Sequence, residues 1–476
     1  MPLFKTLESF FRDYEMPLAR AFYDIDNRGV LIDQSRLEKF IKLLESRLVS
    51  CCHVIENEVK MKVVPKQPKG IKTPNGTLNL SSPKQLIDVI TNVLKIKLKK
   101  DWNSGKESSG EEALNEAYSQ SGNIALKSIL EARELNKIKG TYAEAVLVDS
   151  ILYTSYGVAN TVTGRRSARA TIFTNEKGES IGTNAQNLPK QSDLGKQFRE
   201  CIIARPGFIF VSCDQVQAED WIVSALIADN GGGTHGLDEL KARVDRHKRL
   251  AMQIFKKPES ECSKGTILRY MGKKTRHAGN YGMQAPRMAA VLASEGFAVN
   301  RQYCEVLLNE FHKAEPEIRN TFQYRIENEL RNSRILQTPI GRTRYFLGLR
   351  PGADNGKLFK EAYSYIPQST VGDNTGLAVL FCETTKPGWV IMDHHDAITL
   401  EVPDSEADIS EAISLLSEAF SRKLIFSNGT TIEIPVEYEI GYDLKNQVEF
   451  NPKCPADLQT GLPIILHGLR QQARLR

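Results

Sequence analysis

The chain reads as an α+β protein organised around a central antiparallel sheet. Three observations predict this. Residues 1–150 carry apolar side chains mostly at helical spacing, as in "QSRLEKFIKLLESRLVSCCHVIENEVKM". Residues 151–215 and the region after 388 instead carry short β-branched and aromatic runs punctuated by Gly, Asn and Pro. A long helical block, residues 216–335, separates the two. Helical, mixed, helical and strand-rich regions in that order suggest segregated helices around an antiparallel sheet.

In chain order, residues 1–62 read as helices, with "VLID" as a short turn between them. Residues 63–80, rich in Lys, Pro and Gly, read as a loop or short hairpin. "SSPKQLIDVITNVL" has a helix start, with Ser before Pro at the first turn. "KIKLKKDWNSGKESSGEE" is basic, then polar, and reads as exposed. Helix returns over 111–150. "YTSYGVANTVTG" and "FRECIIARPGFIFVSCD" read as β-like, the helical block breaks at "NGGGTHG", and "WVIMDHHDAITLEVP" and "TTIEIPVEYEIGYD" read as strands. The last 25 residues form a basic, leucine-containing tail, read as a surface-packing extension.

Composition narrows the class. The 476 residues are 41% hydrophobic and 25% charged, ordinary for a globular protein. No run approaches the 18 or so apolar residues of a membrane span. The eight cysteines (51, 52, 201, 213, 262, 304, 382, 454) contain no CxxC pair, which points away from a zinc site or a disulfide framework and fits a reducing cytosol. The net charge of +5 mildly favours a polyanionic partner.

Two aspartates carry the chemistry. Asp214 closes "GFIFVSCD", and Asp396 lies inside "WVIMDHHDAITLEV". Either alone reads as a cap or turn starter. Brought to one point, two carboxylates can hold two Mg²⁺ ions about 4 Å apart, one activating an attacking hydroxyl and one neutralising a leaving phosphate. The complement is "LRYMGKKTRHAGNYGM", where Arg269, Lys273, His277 and Tyr281 recur every fourth residue. Each four-residue step on a helix drifts by only about 40°, so the four share one stripe. Arg269 and Lys273 can clamp a triphosphate, His247 can add a third donor, and Tyr281 beside Gly282 can offer a stacking face to a base. Taken alone, the same helix also reads as a solvated basic face with a core tyrosine.

These residues fall into a familiar order. Over roughly residues 12–445 the chain resembles the family A DNA polymerases. "EMPLARAFYDIDNRGVLID" is similar to the family's lead-in to the thumb, and "TGRRSARATIFTNEKGESIGTNAQNLPK" to its stretch that holds template and primer. "FRECIIARPGFIFVSCDQVQAED" resembles motif A, "RYMGKKTRHAGNYG" motif B (R-x3-K-x3-F/Y-G-x2-Y-G), "AYSYIPQSTVGDN" a following palm segment, and "HHDAITLEVP" motif C. The resemblance implies a right-hand fold with palm, fingers and thumb. Residues 1–62 would be pre-thumb and thumb helices and 63–150 the rest of the thumb. Residues 151–215 would begin the palm, 216–335 hold the palm helix and fingers (motif B 268–283), 336–445 complete the palm (motif C 394–397), and 446–476 form a C-terminal extension.

The implied activity is template-directed addition of dNTPs to a primer 3′ end by a DNA-directed DNA polymerase. Asp214 and Asp396 would bind two Mg²⁺ ions, with Mn²⁺ able to substitute and the Gln215 carbonyl assisting. Arg269, Lys273 and His247 would hold the triphosphate, and Lys273 would protonate the leaving pyrophosphate. Glu219 matches the steric gate against a ribose 2′-hydroxyl, Gln217 the adjacent polar residue of motif A, and Tyr281 would meet the templating base. Arg165, Asn184, Gln186, Asn187, Lys360, Gln368 and His395 would contact primer or template. Primer-template DNA and dNTPs are the implied partners, with a separate exonuclease or processivity factor conceivable; the chain would act as a monomer in a bacterial or phage-infected cytoplasm. A quiet DNA-binding module and a single-subunit RNA polymerase are the alternatives, and Glu219 argues against the second.

The sequence departs from the family pattern at several points. His277-Ala278 stands for an aromatic-Gly pair, Asp220-Trp221 for an apolar-Arg pair, and Ala397 for a glutamate. No exonuclease segment precedes the thumb-like region, so an enzyme without proofreading, of phage or mobile-element type, is expected.

Overall fold

Runs far apart in sequence meet edge to edge. Strands β1 (Phe208–Gln215), β2 (Val390–Asp393), β3 (Ala397–Pro403), β4 (Val436–Gly441) and β5 (Val448–Glu449) form one sheet in the order β2-β3-β1-β4-β5, antiparallel at every pairing. The computed structural model describes residues 2–66, 72–100, 105–171, 173–188, 192–295, 297 and 299–474. Parts of the Lys/Pro-rich stretch (67–71) and of the polar segment (101–104) lie outside the described residues.

β1 is central, and its alternation explains the site. Ile209, Val211 and Cys213 are fully buried on one face, in the larger of the hydrophobic cores. Each such apolar side chain contributes about 1.5–3 kcal/mol by burial. The other face carries Phe210, buried in a second core, then half-buried Ser212 and exposed Asp214. That face therefore opens towards the C-terminal end of the strand.

Helices cover the closed face. The long helix Gly356–Thr385 and the helix Glu406–Phe420 pack against the sheet. The N-terminal helical segment joins them through Phe10, Tyr14, Leu18, Phe22 and Ile25, spaced to make one apolar stripe. The second core lies between the helices Gln34–Val59 and Ile124–Ile138. Ser82 caps Pro83–Asp88 by accepting from the Gln85 amide, as its Ser-Pro start predicts.

Four expectations are corrected. "VLID" is not a turn: Val30–Ile32 is the middle strand of a small sheet, paired with Ile151–Leu152 and Ile202–Ile203. Three residues carry too little pattern to reveal partners that distant. The pairing of Lys62–Val64 with Thr77–Asn79 is parallel, so it is no hairpin. "FREC" ends the helix Asp193–Glu200, capped by Ser192, rather than beginning a strand. The C-terminal tail is the helix Pro455–Arg474, which buries Leu462, Leu466 and Leu469 in the larger core.

The helical block contains α1 (Ala218–Asp229), α2 (Arg246–Phe255) and α3 (Ile267–Asn280). α3 is the predicted striped helix, but it stops at Asn280. Gly282 supplies the turn, with φ +65°, where a side chain would be strained. Gly279 permits close packing, because a Cβ there would collide with the Phe311 ring. Both glycines thus have packing or turn reasons and need no bending of the helix. Gly279→Val is expected to destabilise the protein by about 1–3 kcal/mol through overpacking. An unchanged midpoint in urea denaturation would show that Phe311 moves aside freely.

Candidate active site

The register of β1 brings the two aspartates together. Asp214 lies directly opposite Ala397, the residue after Asp396, and the Gln215 N–H donates to the Asp396 carbonyl at 3.2 Å. The Gln215 side chain points into the opposite face, where Nε2 donates to Thr375 Oγ1 (2.8 Å) and Asn374 donates to Oε1 (2.7 Å). Nε2 also reaches back to the Asp396 carbonyl, at 3.3 Å, beside the backbone N–H.

Asp396 sits in the tight turn between β2 and β3. His394 N–H donates to the Ala397 carbonyl at 2.8 Å, and His395 takes φ +73°, a left-handed conformation uncommon outside glycine. A residue the sequence reading passed over holds this turn. Arg166 is 2% exposed and pairs with Asp393, while also donating to the carbonyls of Gly372 and His395. The His395 N–H donates to Asp393 Oδ1 at 2.9 Å. Breaking a buried pair of this kind typically costs 3–5 kcal/mol. Its signal was the doubled arginine of "TGRRS", of which only Arg165 was assigned a role.

Across the cleft stands a cationic wall. Asp214, Asp396, Glu219, His247, Arg269 and Lys273 line one cavity of about 340 Å³. Arg269 is oriented by Asp245, at 2.6 Å, and Asp245 itself caps α2. His247 is 7% exposed, and its Nδ1 finds no hydrogen-bond partner among the described residues. Burial, opposed in part by Asp220, pulls its pKa down to about 3, so it is neutral at pH 7.

Glu219 is held from several sides. Arg165 pairs with one oxygen, the Tyr281 hydroxyl donates to the other, and His277 Nδ1 lies 3.7 Å away. Burial and then the Glu219 charge raise the Tyr281 pKa well above its usual value, which keeps it a donor. The hydroxyl of Tyr281, the residue expected to meet a templating base, is held by Glu219. Gln217, at φ +49°, donates to the Val244 carbonyl (3.2 Å) and accepts from the Arg246 N–H (3.1 Å), tying α1 to α2. Asp220 faces two arginines. Burial would raise its pKa, but Arg276 (3.5 Å) and Arg246 override this and hold it at about 2.

The residues expected to contact nucleic acid do not line this cavity, although Arg165 pairs with Glu219 and His395 adjoins Asp396, which do. Asn184 caps the short turn Ala185–Asn187 by accepting from the Asn187 N–H. Gln186 is 7% exposed, so its side chain is not presented as a surface contact. Lys360 and Gln368 are half-buried on the helix Gly356–Thr385, with Lys360 beside Gly282.

The donor set fits a hard cation. Two carboxylates converge, with Cys213 directed to the other face. Among the described residues no three His, Cys, Asp or Glu side chains are grouped to hold an ion. A pair of carboxylates suits Mg²⁺, which keeps several waters.

A five-stranded antiparallel sheet bearing paired carboxylates opposite a cationic helix defines the class as a right-hand polymerase fold. The model of DNA polymerase family A matches residues 52–446. The chain belongs to that family. The thermostable DNA polymerase I of Thermus thermophilus is 25% identical over 445 residues, covering 90% of this chain and 47% of the relative. The DNA polymerase I of Borreliella burgdorferi is 24% identical over 426 residues, covering 87% of this chain and 42% of the relative. The chain thus spans about half the length of the curated relatives it matches. The solved POL domain of Pol1 from M. smegmatis, in complex with DNA primer-template and dNTP, matches with a TM-score of 0.73 at 20% identity, covering 92% of this chain and 71% of that one; it shows the shared fold. No helix among the described residues is long and apolar enough to cross a membrane.

The His247 shift has a stability consequence. Its folded pKa of about 3 lies below the usual His value of about 6.5. Between these values the unfolded chain binds the extra proton, so this contribution to stability is lost as pH falls from about 6.5 towards 3. In His247→Gln the fall in unfolding free energy between about pH 6.5 and 5 is expected to be shallower. An unchanged pH slope by urea titration would contradict the buried neutral imidazole.

Proposed function

We propose that this chain is a DNA-directed DNA polymerase that extends a primer 3′ end on a template, joining the α-phosphorus of a dNTP to the primer hydroxyl and releasing pyrophosphate. The observation that carries the reading is the single cleft in which Asp214 and Asp396 face Arg269, Lys273 and His247. Family membership and the fold likeness support it. On this reading the division into thumb (within 1–150), palm (151–215 and 336–445) and fingers (within 216–335) also holds.

Asp214 and Asp396 would hold two Mg²⁺ ions, assisted by the Gln215 carbonyl; when bound, these supply Lewis-acid activation of the hydroxyl and neutralise charge on the leaving group. The rest falls to the chain's own side chains. Arg269, steadied by Asp245, and the neutral His247 N–H orient the phosphates. Lys273, which lines the cleft and has no carboxylate partner among the described residues, would protonate the departing pyrophosphate oxygen. Glu219, clamped by Arg165 and Tyr281, would crowd a ribose 2′-hydroxyl and so favour dNTPs. The contact residues Arg165, Asn187, Lys360, Gln368 and His395 would position the duplex through its backbone and minor groove.

Primer extension tests this. The wild-type chain is expected to extend a primed template with dNTPs, and Asp214→Ala or Asp396→Ala to lose at least a thousandfold in rate, about 4 kcal/mol. Residual activity within tenfold of wild type would overturn the metal assignment. Replacing His277 with Phe removes the group facing Glu219, so kinetic selectivity among sugar-modified nucleotides is expected to change by several-fold. If selectivity is unaltered, His277 serves packing alone.

A further inference from the structure

The helix Glu111–Ser121 packs against the helix Ala285–Ser294. Asn115 Nδ2 donates to the Ala293 carbonyl at 2.9 Å, across 178 residues of chain. Each helix is anchored in a different core. Leu114 and Ala117 are buried in the second core, with the helices Gln34–Val59 and Ile124–Ile138. Met288 and Leu292 are buried in a third core, with Met271 and Ala278 of α3 and Leu307 of the helix Arg301–Ala314. Among the described residues the two cores share no side chain. The meeting is therefore a docking contact between two separately packed bodies, which can part without either unfolding.

Both bodies are also rooted in the central sheet, at different places. The second core takes in Phe210 of β1 with Ile391 and Met392 of β2. On the other side, Gly279 of α3 packs on Phe311, which lies in the larger core with Ile209, Val211 and Cys213 of β1. The sheet, the second core, the two docked helices and α3 thus form a closed circuit. Asp214 continues the face of β1 that carries Phe210, and α3 lines the cleft opposite it. The site stands at the root of the circuit, between the two bodies. A primed template leaving the two aspartates must pass through the circuit or displace the docking contact.

We propose that the contact between Glu111–Ser121 and Ala285–Ser294 is a clasp. It opens to admit an internal stretch of primed nucleic acid and closes behind it, so that the chain encircles the primer-template during synthesis. The inference rests on the polymerase reading above. A closed ring holds its template by topology, whereas an open cleft depends on phosphate contacts that salt weakens. Retention that survives high salt is the signature of the clasp.

Cross-linking the clasp tests it. Asn115→Cys with Ala293→Cys places one thiol on each side of the contact, and a short bis-maleimide joins them. Cys454, the exposed cysteine among the described residues, is replaced by Ser throughout. Formed before DNA is added, the cross-link is expected to slow extension on a primed single-stranded circle by at least about tenfold, because loading requires opening. Extension of a short linear primer-template, which can thread, is expected to stay within about twofold. Formed after binding to a bead-held primed circle, the cross-link is expected to keep the protein there through a high-salt wash until the circle is cut. Failure to cross-link although each single cysteine reacts would overturn the proposal. So would unchanged extension on the circle, or loss of the cross-linked protein from the intact circle in salt. Loss of extension on both circle and linear duplex would show that the contact blocks the path rather than encircling it, and would also overturn the proposal. Absence of extension by the protein before cross-linking would instead overturn the polymerase reading, while retention on the circle would still decide the clasp.

Discussion

The site depends on one strand register. β1 pairs with β3 so that Asp214 lies opposite Ala397, and this places Asp396 at the head of the neighbouring strand. A slip of one residue would turn Asp214 to the closed face and bring Cys213 to the cleft. The slip is resisted by burial, since Ile209, Val211 and Cys213 would leave the core together. It is also resisted at the turn, where Arg166 binds Asp393 and two backbone carbonyls. The arrangement that brings two carboxylates together is thus held by hydrophobic packing from one side and a buried cation from the other.

The cationic wall depends on a second buried network. Glu315 accepts from Arg246 at 2.7 Å and from Arg276 at 2.9 Å, and Arg276 also faces Asp220. These groups are 1–5% exposed. They join α1, α2 and α3 at their buried faces, while Arg269, Lys273 and His277 occupy the cleft side of α3. Charges removed so fully from water are tolerated when paired, and each pair fixes one helix against the next. Asp220, which departs from the family pattern, is part of this network, because α3 brings Arg276 to it.

Much of the site was legible in the residues. Asp214 and Asp396 end or interrupt strongly apolar runs, and the fourfold spacing of Arg269, Lys273, His277 and Tyr281 makes one stripe on any helix. Other features could not be read. Arg166 looks like a second surface arginine until the turn folds over it. The hydrogen bond from Tyr281 to Glu219 comes from another helix and leaves no mark in the local spacing.

The sequence by itself determined which local elements form, which side chains share a helix face, and which chemistry is available, because those properties depend on residue type and short-range spacing. Tertiary structure decided what meets what. Register paired Asp214 with both Ala397 and Glu437, burial made His247 neutral, and long-range contacts committed Tyr281 and Arg165 to Glu219. Such outcomes arise from packing between segments tens to hundreds of residues apart, and neither periodicity nor propensity carries that information.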